Sequence, residues 1–227
     1  MNVLITGSNG FIAKNLINRL ENNKKINLEK FTKKNNFKDL EKKIFKSNLI
    51  YHFAGENRSN KKISFYNNNI KLSKQISDII IKNNLKKAII FSSTTQIKNK
   101  NIYGNTKFLS ENILKKCTKK TNSKLIIYRM PNVFGKWSRP NYNSVVATFC
   151  HAISRNKKVK LFNENKKIKF IYIDDLIDQF ILELNNKSYK SHFKKIKNII
   201  SISPKVIHDT IVYMKKNRTY FSIKNLK

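Results

Sequence analysis

Apolar residues along this chain fall into short runs that alternate with stretches of helical spacing. Residues 2–6 read as a short buried strand. After Gly10 the pattern changes: Phe11, Ile12, Leu16, Ile17 and Leu20 recur along one helix face. Ile26–Phe31 reads as a second strand and Leu49–Ala54 as a third, which stops at Gly55. Residues 66–83 are predicted to be a helix with Ile70, Ile76, Ile79 and Ile80 on its core face. Ala88–Phe91 is a fourth strand running into Ser92-Ser93-Thr94-Thr95, residues 103–117 a helix, and Leu125–Tyr128 a fifth strand. Beyond Gly135 the pattern loosens. Val145–Ile153 predicts a helix and Phe170–Ile173 a strand. Asp174-Asp175 then starts a helix through about Leu184, with Asp as its N-cap. Residues 192–227 are weakly patterned.

Strands alternating with helices predict an α/β fold: a Rossmann-type, doubly wound parallel sheet with helices on both faces. Residues 1–135 are expected to form a dinucleotide-binding core. Residues 136–227 are expected to be mainly a substrate-binding portion, partly interleaved with that core. Ligands in such sheets bind beyond the carboxyl ends of the strands, and the candidate residues below fall at those ends.

With 227 residues, 40% of them hydrophobic, the chain can bury a substantial core. No apolar run is long enough to cross a bilayer, and the first residues lack the pattern of a signal peptide. Cys117 and Cys150 form no Cys-x-x-Cys pair and read as ordinary buried or half-buried thiols. The expectation is a cytoplasmic protein with no membrane insertion and no metal site. Charge complicates this picture: 48 Lys+Arg against 13 Asp+Glu give a formal net charge of +35. Such an excess suits a polyanion binder. It is mostly lysine, however, spread along the chain and accompanied by Asn, Ile and Phe, which share AT-rich codons. Scattered lysines form a solvated surface rather than a groove. No specific nucleic-acid partner is therefore expected, only nonspecific affinity at low salt.

With only 5 Gly in the chain, their positions carry weight. Gly7-Ser8-Asn9-Gly10-Phe11-Ile12-Ala13 follows a strand and opens a helix. Gly7 permits a tight turn, Gly10 lets a pyrophosphate approach, and the helix N-terminus offers free N–H groups. Gly7, Asn9, Gly10, Phe11 and Ile12 are thus candidate cofactor contacts, with Ala54 and Gly55 at the end of the third strand. Ala13 stands where a third glycine would allow the closest packing. Near the end of the second strand an acidic residue would favour NAD(H). Glu29 falls inside that strand, whereas Lys30, Lys33 and Lys34 surround its end; Lys33 is the candidate contact to a 2′-phosphate, favouring NADP(H).

Tyr103 and Lys107 stand one helical turn apart on one face. A nearby ammonium favours the phenolate and so brings a tyrosine closer to working as an acid or base. The same lysine can reach a nicotinamide ribose, so Tyr103 and Lys107 are candidate cofactor contacts as well. Thr94, nine residues earlier, can hold a substrate oxygen beside Tyr103.

These segments, with Phe53-Ala54-Gly55 and Arg129-Met130-Pro131-Asn132-Val133-Phe134-Gly135, resemble the extended short-chain dehydrogenase/reductases. This is the NAD-dependent epimerase/dehydratase family acting on nucleotide sugars. Phe170-Ile171-Tyr172-Ile173-Asp174-Asp175 is similar to a recurring segment of the same family. More narrowly, Arg129–Trp137 and Arg139–Cys150, together with His52–Gly55 and Asn57-Arg58, resemble capsular polysaccharide reductases that form UDP-2-acetamido-2,6-dideoxy-L-talose. The resemblance implies NADPH-dependent reduction of a UDP-linked 4-keto-6-deoxy amino sugar. It assigns Tyr103 as acid, Lys107 as its tuner and Thr94 as the residue orienting the ketone. Asn132, Arg139, Asn141, Tyr142 and Asn143 become candidate substrate contacts, and a homodimer is implied. Those reductases usually carry a C-terminal cupin domain; this chain stops near where it would begin, so only the reduction step is expected. Ser138 stands where relatives tend to have cysteine. A nucleotide-sugar 4-epimerase shares the Tyr/Lys pair and stays open as an alternative, as does a catalytically weakened dinucleotide- or polyanion-binding protein. A 4,6-dehydratase would want an acidic pair after Thr94, where Thr95-Gln96 stand instead.

Overall fold

The computed structural model describes residues 1–99, 101–186 and 190–218. Its main sheet has six parallel strands: β1 (Asn2–Thr6), β2 (Asn27–Phe31), β3 (Leu49–His52), β4 (Ala88–Thr94), β5 (Lys124–Met130) and β8 (His192–Phe193), in the order β2-β1-β3-β4-β5-β8. A smaller sheet, β6 (Asn132–Phe134), β7 (Ile168–Tyr172) and β9 (Ile200–Ile202), is ordered β6-β7-β9, with β9 antiparallel. Helices cover both faces of the main sheet, as its hydrophobic runs require. On one side α1 (Phe11–Leu20) and α7 (Ile173–Leu182) pack with Val3, Ile5, Tyr51 and Tyr128. On the other, α2 (Phe37–Lys46), α4 (Leu72–Lys82) and α5 (Ile102–Thr121) pack with Leu4, Ile50, Ile89 and Phe91.

The order reverses between β1 and β3, so a crevice opens at the carboxyl ends of these two strands. Gly7 leaves β1 there with φ of +68°, and a Cβ on it would stand 2.7 Å from the Ala54 Cα. Neither the left-handed turn nor that approach admits a side chain.

Several elements differ from the sequence reading. Helix α2 was not anticipated, although Asn36 and Asp39 form a capping box at its start. The expected helix over 66–83 is two pieces, a π-turn over Tyr66–Lys71 and α4, and a short helix, α3 (Lys62–Phe65), precedes them. Tyr172, not an aspartate, occupies the N-cap of α7; Asp174 and Asp175 lie inside its first turn, where their charges interact favourably with the helix dipole. The weakly patterned tail contains α8 (Pro204–Lys216), started by Ser203 and Pro204. It packs on α6 (Val145–Ser154) through Phe149, Ile153 and Ile207. Cys117 is buried, but Cys150 is exposed, because it lies on the outer side of α6.

Candidate active site

Gly10 caps α1 without any side-chain hydrogen bond, and no acidic residue occupies the first turn. The free N–H groups of that turn therefore face the crevice unneutralised, a suitable seat for a pyrophosphate. A cleft of about 690 Å³ follows, lined by Gly7, Asn9, Gly10, Phe11 and Ile12 on one wall, Gly55 on the floor, and Arg139, Tyr142 and Asn143 opposite. The floor is closed by Ala54, whose N–H donates to Thr6 Oγ1 at 3.2 Å. Glu29 lies within β2 and pairs with Lys43 of α2 at 2.6 Å, away from the strand end. Lys33 stands beyond β2, exposed, 3.7 Å from the Glu56 carboxylate.

Thr94 is the last residue of β4 and accepts the Gln96 N–H at 3.1 Å, which turns the chain into a short 3-10 segment. Asn101 then caps α5, accepting the Gly104 N–H at 2.7 Å. Gly104 lets the helix start close to that segment: a Cβ on it would meet the Gln96 carbonyl oxygen at 2.2 Å. This close approach sets Tyr103 against Thr94 in a narrow recess of about 140 Å³, which also holds Asn132 and Asn143. Burial pushes the Tyr103 phenol up to about 12, and the hydrogen bond from Thr94 works against that rise. Lys107 is 3% exposed, its Nζ 4.1 Å from the centre of the Phe91 ring. Burial brings its ammonium down to about 7, opposed by Glu111. A Cβ on Gly55 would stand 3.7 Å from that nitrogen, so Lys107 reaches the cleft floor.

Of the proposed substrate contacts, Asn132 lies on β6 and donates to the Lys169 carbonyl at 3.2 Å. Arg139 stacks over the Tyr142 ring at 5.5 Å, and Asn141 takes a left-handed φ of +56°. The Tyr142 hydroxyl donates to Glu56 at 2.9 Å while Arg58 donates to the Tyr142 carbonyl. Asn132, Asn141, Tyr142 and Asn143 line a second pocket of about 490 Å³ between β6 and α6. Asn143 borders this pocket, the cleft and the recess alike.

Residues 3–199 match the NAD dependent epimerase/dehydratase family. The chain belongs to that family. It is 36% identical over 187 residues to a UDP-2-acetamido-2,6-beta-L-arabino-hexul-4-ose reductase of Pseudomonas aeruginosa, a match covering 82% of this chain and 50% of the relative. The chain thus spans about half the length of that protein. The capsular polysaccharide assembling protein CapF of Staphylococcus aureus superposes with a TM-score of 0.84 at 30% identity, over 97% of this chain and 60% of that one. A UDP-glucuronic acid 4-epimerase of Bacillus cereus shares the fold, with a TM-score of 0.84 at 18% identity, over 95% of this chain and 83% of the other.

Within this family fold, the sequence reading overlooked the side chains that join the elements. Asn69, buried in the π-turn, accepts the Glu56 N–H at 2.7 Å and donates to the Glu56 carbonyl at 3.1 Å and to Thr106 of α5 at 2.9 Å. A run of three asparagines inside a helical pattern was the available signal, since Asn is a poor helix former. His52 is fully buried between Thr6 and Ser73, each at 2.9 Å. Ser73 donates to the Asn69 carbonyl at 2.8 Å, so it accepts from His52 Nε2, and Nδ1 is left to accept from Thr6. No group of His, Cys, Asp or Glu among the described residues could hold a metal, and no described helix is long and apolar enough to cross a membrane.

Proposed function

We propose that this chain is an NADPH-dependent reductase of a UDP-linked 4-keto-6-deoxy amino sugar, acting in capsule or surface polysaccharide synthesis. The observation that carries the reading is the placing of Thr94 and Tyr103 in one recess with Asn143, one helical turn from the buried Lys107. Bound NADPH supplies hydride. Thr94 holds the substrate oxygen, Tyr103 donates the proton to it, and the Lys107 charge favours the phenolate left behind. Gly7, Asn9, Gly10, Phe11 and Ile12 bind the cofactor with Ala54, Gly55 and Lys33. Asn132, Arg139, Asn141, Tyr142 and Asn143 hold the nucleotide sugar. Residues 1–135 then form the cofactor half and residues 136–227 mainly the substrate half. The preference for NADP(H) draws support from Lys33 and Lys34 beyond β2 and from Glu29 being occupied by Lys43. The proposed assembly is a homodimer through α5, the helix bearing Tyr103, whose outer groove is lined by Leu109 and Ile113 beside Ile70. The cytoplasm is the proposed compartment, in keeping with two free cysteines.

Purified protein given NADPH and a 4-keto UDP-sugar is expected to oxidise NADPH, followed by absorbance. Interconversion of a UDP-hexose without net oxidation would favour the epimerase. Salt-dependent DNA binding with no cofactor binding would sink both.

A further inference from the structure

Behind the Tyr103–Lys107 face lies a charged cluster that the chemistry above does not use. Glu111 is fully buried. Its carboxylate accepts hydrogen bonds from Arg129 at 3.0 and 2.6 Å and from Ser93 Oγ at 2.5 Å. Three elements therefore meet on one side chain: α5, β4 and β5. Ser93 and Arg129 face each other in the β4–β5 register, and Ser93 directly precedes Thr94. Glu111 follows Lys107 by one helical turn on the same face.

A fully buried carboxylate, paired with a half-buried guanidinium, is an expensive way to hold strands together. Well-packed apolar side chains of similar volume often do as well or better. What an apolar pair lacks is a fixed negative charge one turn from a buried ammonium. The groups around Lys107 give that charge a use. From β3 it faces His52, which is neutral: burial and the Lys107 charge hold its pKa down to about 3. From β4 it faces the Phe91 ring, and near Gly55 it approaches the uncharged Asn69 amide. On its own helix Tyr103 is neutral, and Glu111 is the anion that acts on it. Arg129 and Lys115 pair with that same carboxylate at 2.6 and 3.9 Å, Lys115 from a further turn along α5.

We propose that Glu111, locked by Arg129 and Ser93, is a positioning residue: its fixed carboxylate, one helical turn from Lys107, acts on that side chain and holds α5 against the end of β4. Only the kinetic consequence rests on the reductase reading. The charge state of Lys107 is a property of the folded chain.

The test follows the titration of Lys107 in the full chain by NMR of isotope-labelled lysine, assigned with Lys107→Arg. Ordinary lysines titrate far higher, so a buried one near neutrality stands apart. In Glu111→Gln the Lys107 titration is expected to move about one pH unit toward acid. Glu111→Asp should restore part of the shift. If the single variant does not fold, Glu111→Asp carries the test, with a smaller shift of the Lys107 titration in the same direction. A titration that stays in place in a folded variant overturns the proposal. The alkaline limb of NADPH oxidation should follow the same shift. If Lys107 responds but no 4-keto sugar is turned over, the reductase reading fails and this inference stands.

Discussion

Tyr103 works against its own burial. The phenol is held near 12, so under the proposed chemistry a bound cofactor and the Lys107 charge have to favour the phenolate. Replacing Tyr103 with Phe is expected to slow NADPH oxidation by about 10²–10⁴-fold. NADPH affinity, measured by fluorescence titration, should stay within a few-fold. His52 makes a separate prediction about stability. Its pKa is about 3 in the folded chain against 6.5 for the free side chain, with burial the larger cause and Lys107 the smaller. Below 6.5 the unfolded chain takes up a proton that the folded chain refuses, so stability is lost as pH falls. That loss amounts to roughly 2 kcal/mol between pH 6.5 and 5. Denaturant unfolding across this window should show it, and His52→Gln should flatten that part of the curve.

Elements bring these residues together through backbone contacts as much as through side chains. Helix α5 begins where Gly104 touches the Gln96 carbonyl. Gly104→Ala has backbone in its way, so α5 must shift away from the segment that follows Thr94. Overpacking of this kind costs about 1–3 kcal/mol. Thermal unfolding should register the loss, with turnover falling further than stability alone explains, because Tyr103 moves with the helix start. The elements themselves were unequally legible in the sequence. Strands β1, β3, β4 and β5 and helix α1 follow from apolar runs and period alone, since both faces of the sheet are buried. The π-turn was not legible, because inserting a residue into a helix leaves the apolar spacing on either side unchanged. Helix α8 was missed because just Pro204 and Ile207 are buried among its residues, so its periodic signal is thin. Asp174 and Asp175 resembled caps because acidic residues are common at both the cap and the first turn.

At the scale of the whole molecule the charge excess is a surface property. The pairs Lys24-Lys25, Lys33-Lys34, Lys119-Lys120 and Lys166-Lys167 are all exposed. Lys87 instead donates to the Phe45 and Ser47 carbonyls at 3.0 and 2.6 Å, closing the C-terminal end of α2. Lys33→Ala should weaken NADPH by about fivefold relative to NADH, a modest loss because the side chain is exposed. Parallel titrations with the two cofactors would measure it. Leu109→Asp should shift the chain toward monomer in sedimentation if α5 forms the proposed interface, with the monomer still folded by circular dichroism.

The sequence alone determined the layered α/β architecture, the placement of Gly7 and Gly10 at the end of β1, and the pairing of Tyr103 with Lys107. All of these follow from local spacing: a two-residue or helical period, a glycine at a strand end, two side chains one turn apart. The tertiary structure decided what surrounds them. Glu111 meets Ser93 and Arg129, each 18 residues away, because the register of β4 against β5 and the docking of α5 bring them to one point. Tyr142 meets Glu56 across 86 residues for the same kind of reason. A periodic pattern says which face of an element is buried. It does not say which residues of two distant elements will share that burial, and that is fixed when the sheet assembles.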